Sequence, residues 1–147
     1  MTPNPNPLTR TGDQVTVTPI LTIIAVNDVA AAARFYREAF GWRPRVEVEV
    51  YVELELPDGR GFGLYQREAY ATNTHQLPIA APTGEITATE LYLHCSDLDG
   101  AIEKIIAAGA RQLAEATAKP WGDTAAYFAD PDGNVIALAV PMQGPAD

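Results

Sequence analysis

Side chains able to do chemistry are few in this chain, and most of them lie in alternating runs. In "RVEVEVYVELELPDG", Arg45 to Gly59, apolar and polar residues alternate from Val46 to Leu56, and the polar slots hold Glu47, Glu49, Tyr51, Glu53 and Glu55. Period two is the mark of a strand with one buried face. Carboxylates two residues apart on a strand lie roughly 7 Å from each other. Their repulsion is about 0.6 kcal/mol per pair in water and about 2.4 kcal/mol at an effective dielectric of about 20. Such acids must therefore stay wet, protonate or meet cations. The run has no clear turn signal inside it, so the boundary between strands within residues 45–56 stays open. Glu53 and Glu55 belong to the strand before the Pro-Asp-Gly turn, whereas Glu47 and Glu49 fall to the preceding strand or a bend at a solvated edge. A second run, "ELYLH", sets Glu90, Tyr92 and His94 against Leu91 and Leu93, with Cys95 next on the apolar side as a small core residue. His75 lies in a stretch without period. No Ser-His-Asp or Cys-His spacing, glycine-rich phosphate loop or metal-binding cysteine cluster occurs.

Composition narrows the partners. The 147 residues fit one domain, and 47% hydrophobic with 20% charged residues is ordinary for a globular protein. The net charge of −9 and pI near 4.6 argue against nucleic acid and against anionic membrane surfaces, both of which need basic patches. No apolar run approaches the roughly 20 residues that cross a bilayer. The opening "MTPNPNPLTRTGDQ" does not read as a secretory signal, and its composition predicts a disordered arm over residues 1–17. The single Cys95 cannot form an internal disulfide, which fits a reducing cytoplasm.

An internal repeat organises the rest. In "LTIIAVNDVAAAARFYREAFGW" an apolar strand runs into Asp28, and Ala32, Phe35, Tyr36 and Ala39 then fall on one helical face before Gly41. In "ELYLHCSDLDGAIEKIIAAGARQL" the same order returns, with Asp97 as the cap, Leu98, Ala101, Ile102 and Ile105 on one face, and Gly109 as the stop. The repeat continues as two strands around Pro57-Asp58-Gly59 and again around Pro131-Asp132-Gly133. Each copy is strand, helix, then antiparallel strands. The expected division is a first βαβββ module over 18–66, a linker or lid over 67–85, a second module over 86–141 and a tail over 142–147. Each sheet has one face under its helix, so the modules together make one α+β domain.

The pair "VNDVAAAARFYREAFGW" and "WGDTAAYFADPDGNVIAL" resembles the vicinal oxygen chelate superfamily of glyoxalases, bleomycin-resistance proteins, fosfomycin-resistance enzymes and ring-cleaving dioxygenases, over about Ile20 to Pro141. The resemblance implies an incomplete barrel whose convex side packs on the helices and whose concave side is a ligand cleft. It also implies four positions for divalent-metal ligands, seven residues before each capping aspartate and five after the aspartate of each Asp-Gly turn. Those positions hold Leu21, Glu90, Gly63 and Ala137. One carboxylate with three donor-free residues does not hold a metal ion. No cofactor is expected, and the pattern is closest to the metal-free, bleomycin-resistance-like branch.

Strand parity then fills the implied cleft. If Glu90 faces it, so do Tyr92 and His94. Tyr51, Glu53 and Glu55 face away from core residues Val52, Leu54 and Leu56; Ala125, Tyr127 and Ala129 are their counterparts in the second module. Gly61, Gly63 and Tyr65 share the cleft face with Ala137, and Trp121 stands at the rim. An aromatic cleft with a few acids suits a small aromatic or cationic molecule, an antibiotic being one candidate. The expected role is binding or sequestration rather than catalysis, and the resemblance implies a homodimer. Two alternatives stay open: a glyoxalase-type lyase or dioxygenase with a displaced metal site involving Glu90 and His94, and a metal-free isomerase with Glu90 as base.

Overall fold

Both long helices form where the sequence places their caps. Ala31 N–H donates to Asp28 Oδ1 at 3.0 Å, and Gly100 N–H donates to Asp97 Oδ1 at 3.1 Å. The first helix ends at Gly41, which takes φ 74° without steric cost. The computed structural model describes residues 14–142. Its elements are β1 (Leu21–Val26), α1 (Val29–Phe40), β2 (Arg43–Val48), β3 (Tyr51–Glu55), β4 (Gly61–Gln66), α2 (Arg67–Thr74), β5 (Glu90–His94), α3 (Leu98–Ala107), β6 (Arg111–Ala118), β7 (Asp123–Ala129) and β8 (Val135–Pro141).

The two βαβββ modules are present as two four-stranded mixed sheets, ordered β1-β4-β3-β2 (sheet A) and β5-β8-β7-β6 (sheet B). In each, the first strand pairs parallel with the last, and the remaining pairs are antiparallel. Both sheets stay open, as an incomplete barrel requires. Helix α1 packs on β3 and β4, α3 packs on β8, and the two helices pack on each other. The helix-side residues therefore merge into one core, with Leu54, Phe62 and Leu64 from sheet A and Phe128, Ile136 and Leu138 from sheet B. Leu91, Leu93 and Cys95 pack against that core, on the side alternation gives them.

A polar seam fastens the modules beside this core. Tyr36, fully buried on α1, donates its hydroxyl to Asp130 Oδ2 at 2.5 Å. Asp130 Oδ1 accepts the backbone N–H groups of Asp132 and Asn134 at 2.9 and 2.8 Å. Asn27 N–H donates to Asp132 Oδ1 at 2.8 Å, and Arg67 Nε donates to Asn27 Oδ1 at 2.9 Å. The Asp-Pro-Asp-Gly-Asn run is thus a joint between modules. Burial, followed by the Asp130 carboxylate, holds the Tyr36 hydroxyl well above its ordinary pKa, so it stays a donor.

The acidic run resolves into a hairpin. Residues Glu49 and Val50 turn between β2 and β3, and a bulge at Arg45 sets both Arg45 and Val46 against Glu53. Glu47 pairs with Val52 and so lies on the helix side, while Val46 and Val48 join the open face. The linker holds α2, a short helix in which only Arg67 is buried, which is why no apolar period announces it. Most of the expected arm, residues 1–13, and residues 143–147 of the tail lie outside the described residues. Among those described, no helix is long and apolar enough to cross a membrane.

Candidate ligand-binding site

The faces of the sheets turned away from the helices carry the predicted site residues, divided into two sets. Sheet A brings together Tyr51, Glu53, Glu55 and Tyr65, and sheet B brings together Glu90, Tyr92, His94 and Tyr127, with Trp121 just before β7. Among the described residues, no hydrogen bond, ion pair or ring contact joins one open face to the other. The polar contacts between modules run through the seam instead. Within one chain the predicted residues fall into two separate groups, one on each sheet.

On sheet A the acids meet a cation from their own chain. Arg45 Nε donates to Glu53 Oε2 at 2.7 Å, and Tyr51 Oη donates to Glu53 Oε1 at 2.6 Å. The Tyr51 bond, then Arg45, holds the Glu53 carboxyl below its usual pKa. Burial, then the bond to Glu53, raises the Tyr51 hydroxyl. Gly63 lies beneath this pair. A Cβ there would come within 2.6 Å of Tyr51 Oη and 2.9 Å of Ile23 Cγ1, so the position is filled by the tyrosine and has no room for a side chain. Tyr65 sits 5.1 Å from Tyr51 between ring centroids, and α2 adds Tyr70 at 5.4 Å from Tyr65. Glu55 is exposed, with Arg43 as its cross-strand neighbour.

On sheet B a directed hydrogen-bond array forms around Asp123. Trp121 Nε1 donates to Tyr92 Oη at 2.7 Å, and Tyr92 Oη donates to Asp123 Oδ2 at 2.5 Å. His94 Nε2 lies 2.9 Å from the same oxygen. The Tyr92 bond, then His94, holds the Asp123 carboxyl below the usual range. Trp121 is 59% exposed and Tyr92 38%, so their rings are available at the surface. Lys119 Nζ stands 4.9 Å from the Tyr127 ring centroid, a cation on an aromatic face. Burial, then the Glu90 charge, raises the Tyr127 hydroxyl.

The metal-ligand positions implied by the family are short of donor side chains. Leu21 is half-buried opposite Gly61, Gly63 lies under Tyr51, and Ala137 is buried opposite Tyr92 and Tyr127, leaving exposed Glu90 as the one donor. Among the described residues no group of three or more His, Cys, Asp or Glu side chains could hold a metal ion. The described residues of one chain, with Glu90 as the one donor at these positions, do not fit a resident divalent metal. Trp42, His75 and Cys95 have structural places. Trp42 stacks on Tyr36 with centroids 6.0 Å apart, and His75 ends α2 at φ 61°. The half-buried Cys95 thiol is raised by burial.

Asp123, Arg45, Tyr70 and Lys119 were not singled out from the sequence. Asp123 was within reach, since it precedes Ala125 and Tyr127 at the same strand parity. Arg45 depends on the bulge, and Tyr70 on a helix without an apolar stripe.

The comparisons agree with this architecture. Among solved structures, a glyoxalase-related enzyme from Fulvimarina pelagi superposes with a TM-score of 0.71 at 25% identity, covering 84% of this chain and 87% of its own. Lactoylglutathione lyase from Agrobacterium tumefaciens superposes at 0.64 with 18% identity, over 86% of this chain and 95% of its own. TioX from Micromonospora sp. ML1 does so at 0.59 with 19% identity, over 86% of this chain and all of its own. No curated protein matches the chain. The profile of the Glyoxalase/Bleomycin resistance protein/Dioxygenase superfamily matches residues 15–138, and the chain belongs to that family.

Proposed function

We propose that this protein binds or sequesters a small, flat, cationic aromatic molecule without a resident metal, and that two copies of the chain complete the cleft. The observation that carries this reading is the open face of sheet B, where Trp121 and Tyr92 expose their rings beside Asp123 and Tyr127 already holds the Lys119 ammonium. A flat cation can stack on those rings and meet Glu90, which forms no ion pair among the described residues. Sheet A is the complementary half, since Tyr51, Tyr65 and Tyr70 form an aromatic row and Arg45 already neutralises Glu53. Each half presents apolar surface to water, including Ile23 and Val48 on sheet A. Pairing sheet A of one copy with sheet B of another gives a walled cleft in place of two open faces. Bleomycin-like antibiotics are one class of molecule with the required planar and cationic groups.

Titration with copper-free bleomycin and with the dye proflavine tests the reading. Saturable binding below millimolar concentration is expected for proflavine, and binding of bleomycin as well would narrow the ligand class to antibiotics. Absence of binding by both contradicts it. Metal analysis of the purified protein separates this reading from a glyoxalase-type lyase or dioxygenase. Stoichiometric metal that disappears in Glu90→Ala would favour the enzyme.

A further inference from the structure

The array on sheet B does more than line a surface, because its hydrogen bonds run in one direction. Tyr92 Oη accepts from Trp121 Nε1, so its single proton goes to Asp123 Oδ2. Asp123, held ionised, can only accept, and the nitrogen facing it is His94 Nε2 at 2.9 Å. A neutral imidazole bonded there carries its proton on Nε2 and leaves Nδ1 as a bare acceptor. The His94 side chain is 54% exposed and that of Asp123 only 14% exposed, so the imidazole reaches outward while its anchor is sheltered.

The geometry points to His94 as a proton-accepting residue of the open face, its Nδ1 receiving a hydrogen bond or a proton from an O–H or N–H group of the bound molecule, with Asp123 and Tyr92 as positioning residues. This rests on the reading that sheet B meets a ligand, and it adds the group by which the ligand is chosen. When a proton moves, the ligand's O–H or N–H bond breaks, its electron pair stays on the ligand atom, and the proton bonds to Nδ1. The imidazolium so formed faces the Asp123 carboxylate, and return of the proton needs no co-reactant. Among the described residues Asp123 is the hydrogen-bond partner of the His94 ring, and the Tyr92 ring lies 5.9 Å away between centroids. On its own strand Tyr92 donates elsewhere and Glu90 lies four residues away. From β7 and its approach come Asp123 and Tyr127, with Lys119 engaged on Tyr127. Asp58, across the groove between modules, is paired with Arg60 at 3.0 Å, and the β8 neighbours Ala137 and Ala139 are apolar.

Long-range proton–nitrogen NMR of the histidines reads this directly, with His75 as the internal control. The expected free protein shows His94 as the Nε2–H tautomer. Asp123→Asn removes that preference, because an amide can donate to Nε2 as well as accept from it. Tyr92→Phe, which leaves Asp123 to His94 alone, keeps it. Phenol added to the protein should shift the His94 Nδ1 resonance, and anisole, the same ring without O–H, should not. An Nδ1–H tautomer, a mixture matching His75, or equal responses to phenol and anisole, including none, overturns the inference. These neutral probes are independent of the cationic dye titration, so either reading can fail alone.

Discussion

Glu53 shows how much a single carboxylate depends on its neighbours. Its bonds from Tyr51 and Arg45 depress its folded-state pKa, so the stability they contribute is present above the ordinary glutamate range and is lost as pH falls through the depressed value. Glu53→Gln should therefore cost about 1 kcal/mol near neutrality and flatten the acid limb of the stability curve, measured by chemical denaturation from neutral pH down to below the ordinary glutamate range. Gly63 is the second residue-scale test. Its missing Cβ is the space occupied by the Tyr51 hydroxyl, so Gly63→Ala should destabilise by about 1–3 kcal/mol. The cost should shrink in a Tyr51→Ala background, where the same methyl is left to meet Ile23 Cγ1 without the tyrosine ring. At this scale the side of each strand was legible from alternation, because core and open residues differ in polarity. The partners were not. Arg45 reaches Glu53 through a bulge, and Asp123 gains its meaning only when β5 and β7 both flank β8 and bring it to Tyr92 and His94.

Elements were more legible than partners, since caps and stops repeat in order. Asp28 and Asp97 mark both long helices, and the two Asp-Gly turns mark both terminal hairpins. Helix α2 was hidden because it buries little, and the strand boundary inside the acidic hairpin stayed open because its valines and glutamates alternate across the turn. The joint between modules belongs to this scale too. Tyr36 on α1 is the donor to buried Asp130 that comes from the other module, beside Asn134 Nδ2 on the same oxygen. Tyr36→Phe keeps the ring but leaves that carboxylate short of a bond, which should cost about 1–3 kcal/mol. A lower denaturant midpoint with an unchanged slope is expected, because the modules share one core and should still unfold together.

At the scale of the whole molecule, the repeat was enough to predict two modules and one α+β domain, and sheet order and family agree. What a sequence cannot show is which faces meet, since parity says only that a residue leaves the core. The predicted site residues divide between two open sheets, and the proposed dimer joins them. Ile23→Lys puts a charge on the apolar part of sheet A and should shift the protein from dimer to monomer in sedimentation velocity. The most direct test of the central claim uses the two tryptophans as separate reporters, since Trp42 lies against Tyr36 and Trp121 stands on the open face. In Trp42→Phe protein, where Trp121 is the remaining tryptophan, proflavine should quench fluorescence saturably below millimolar concentration, and Tyr92→Ala should weaken that binding by about tenfold, or roughly 1.4 kcal/mol. Quenching that never saturates, or that is seen only for Trp42 in Trp121→Phe protein, would contradict the account.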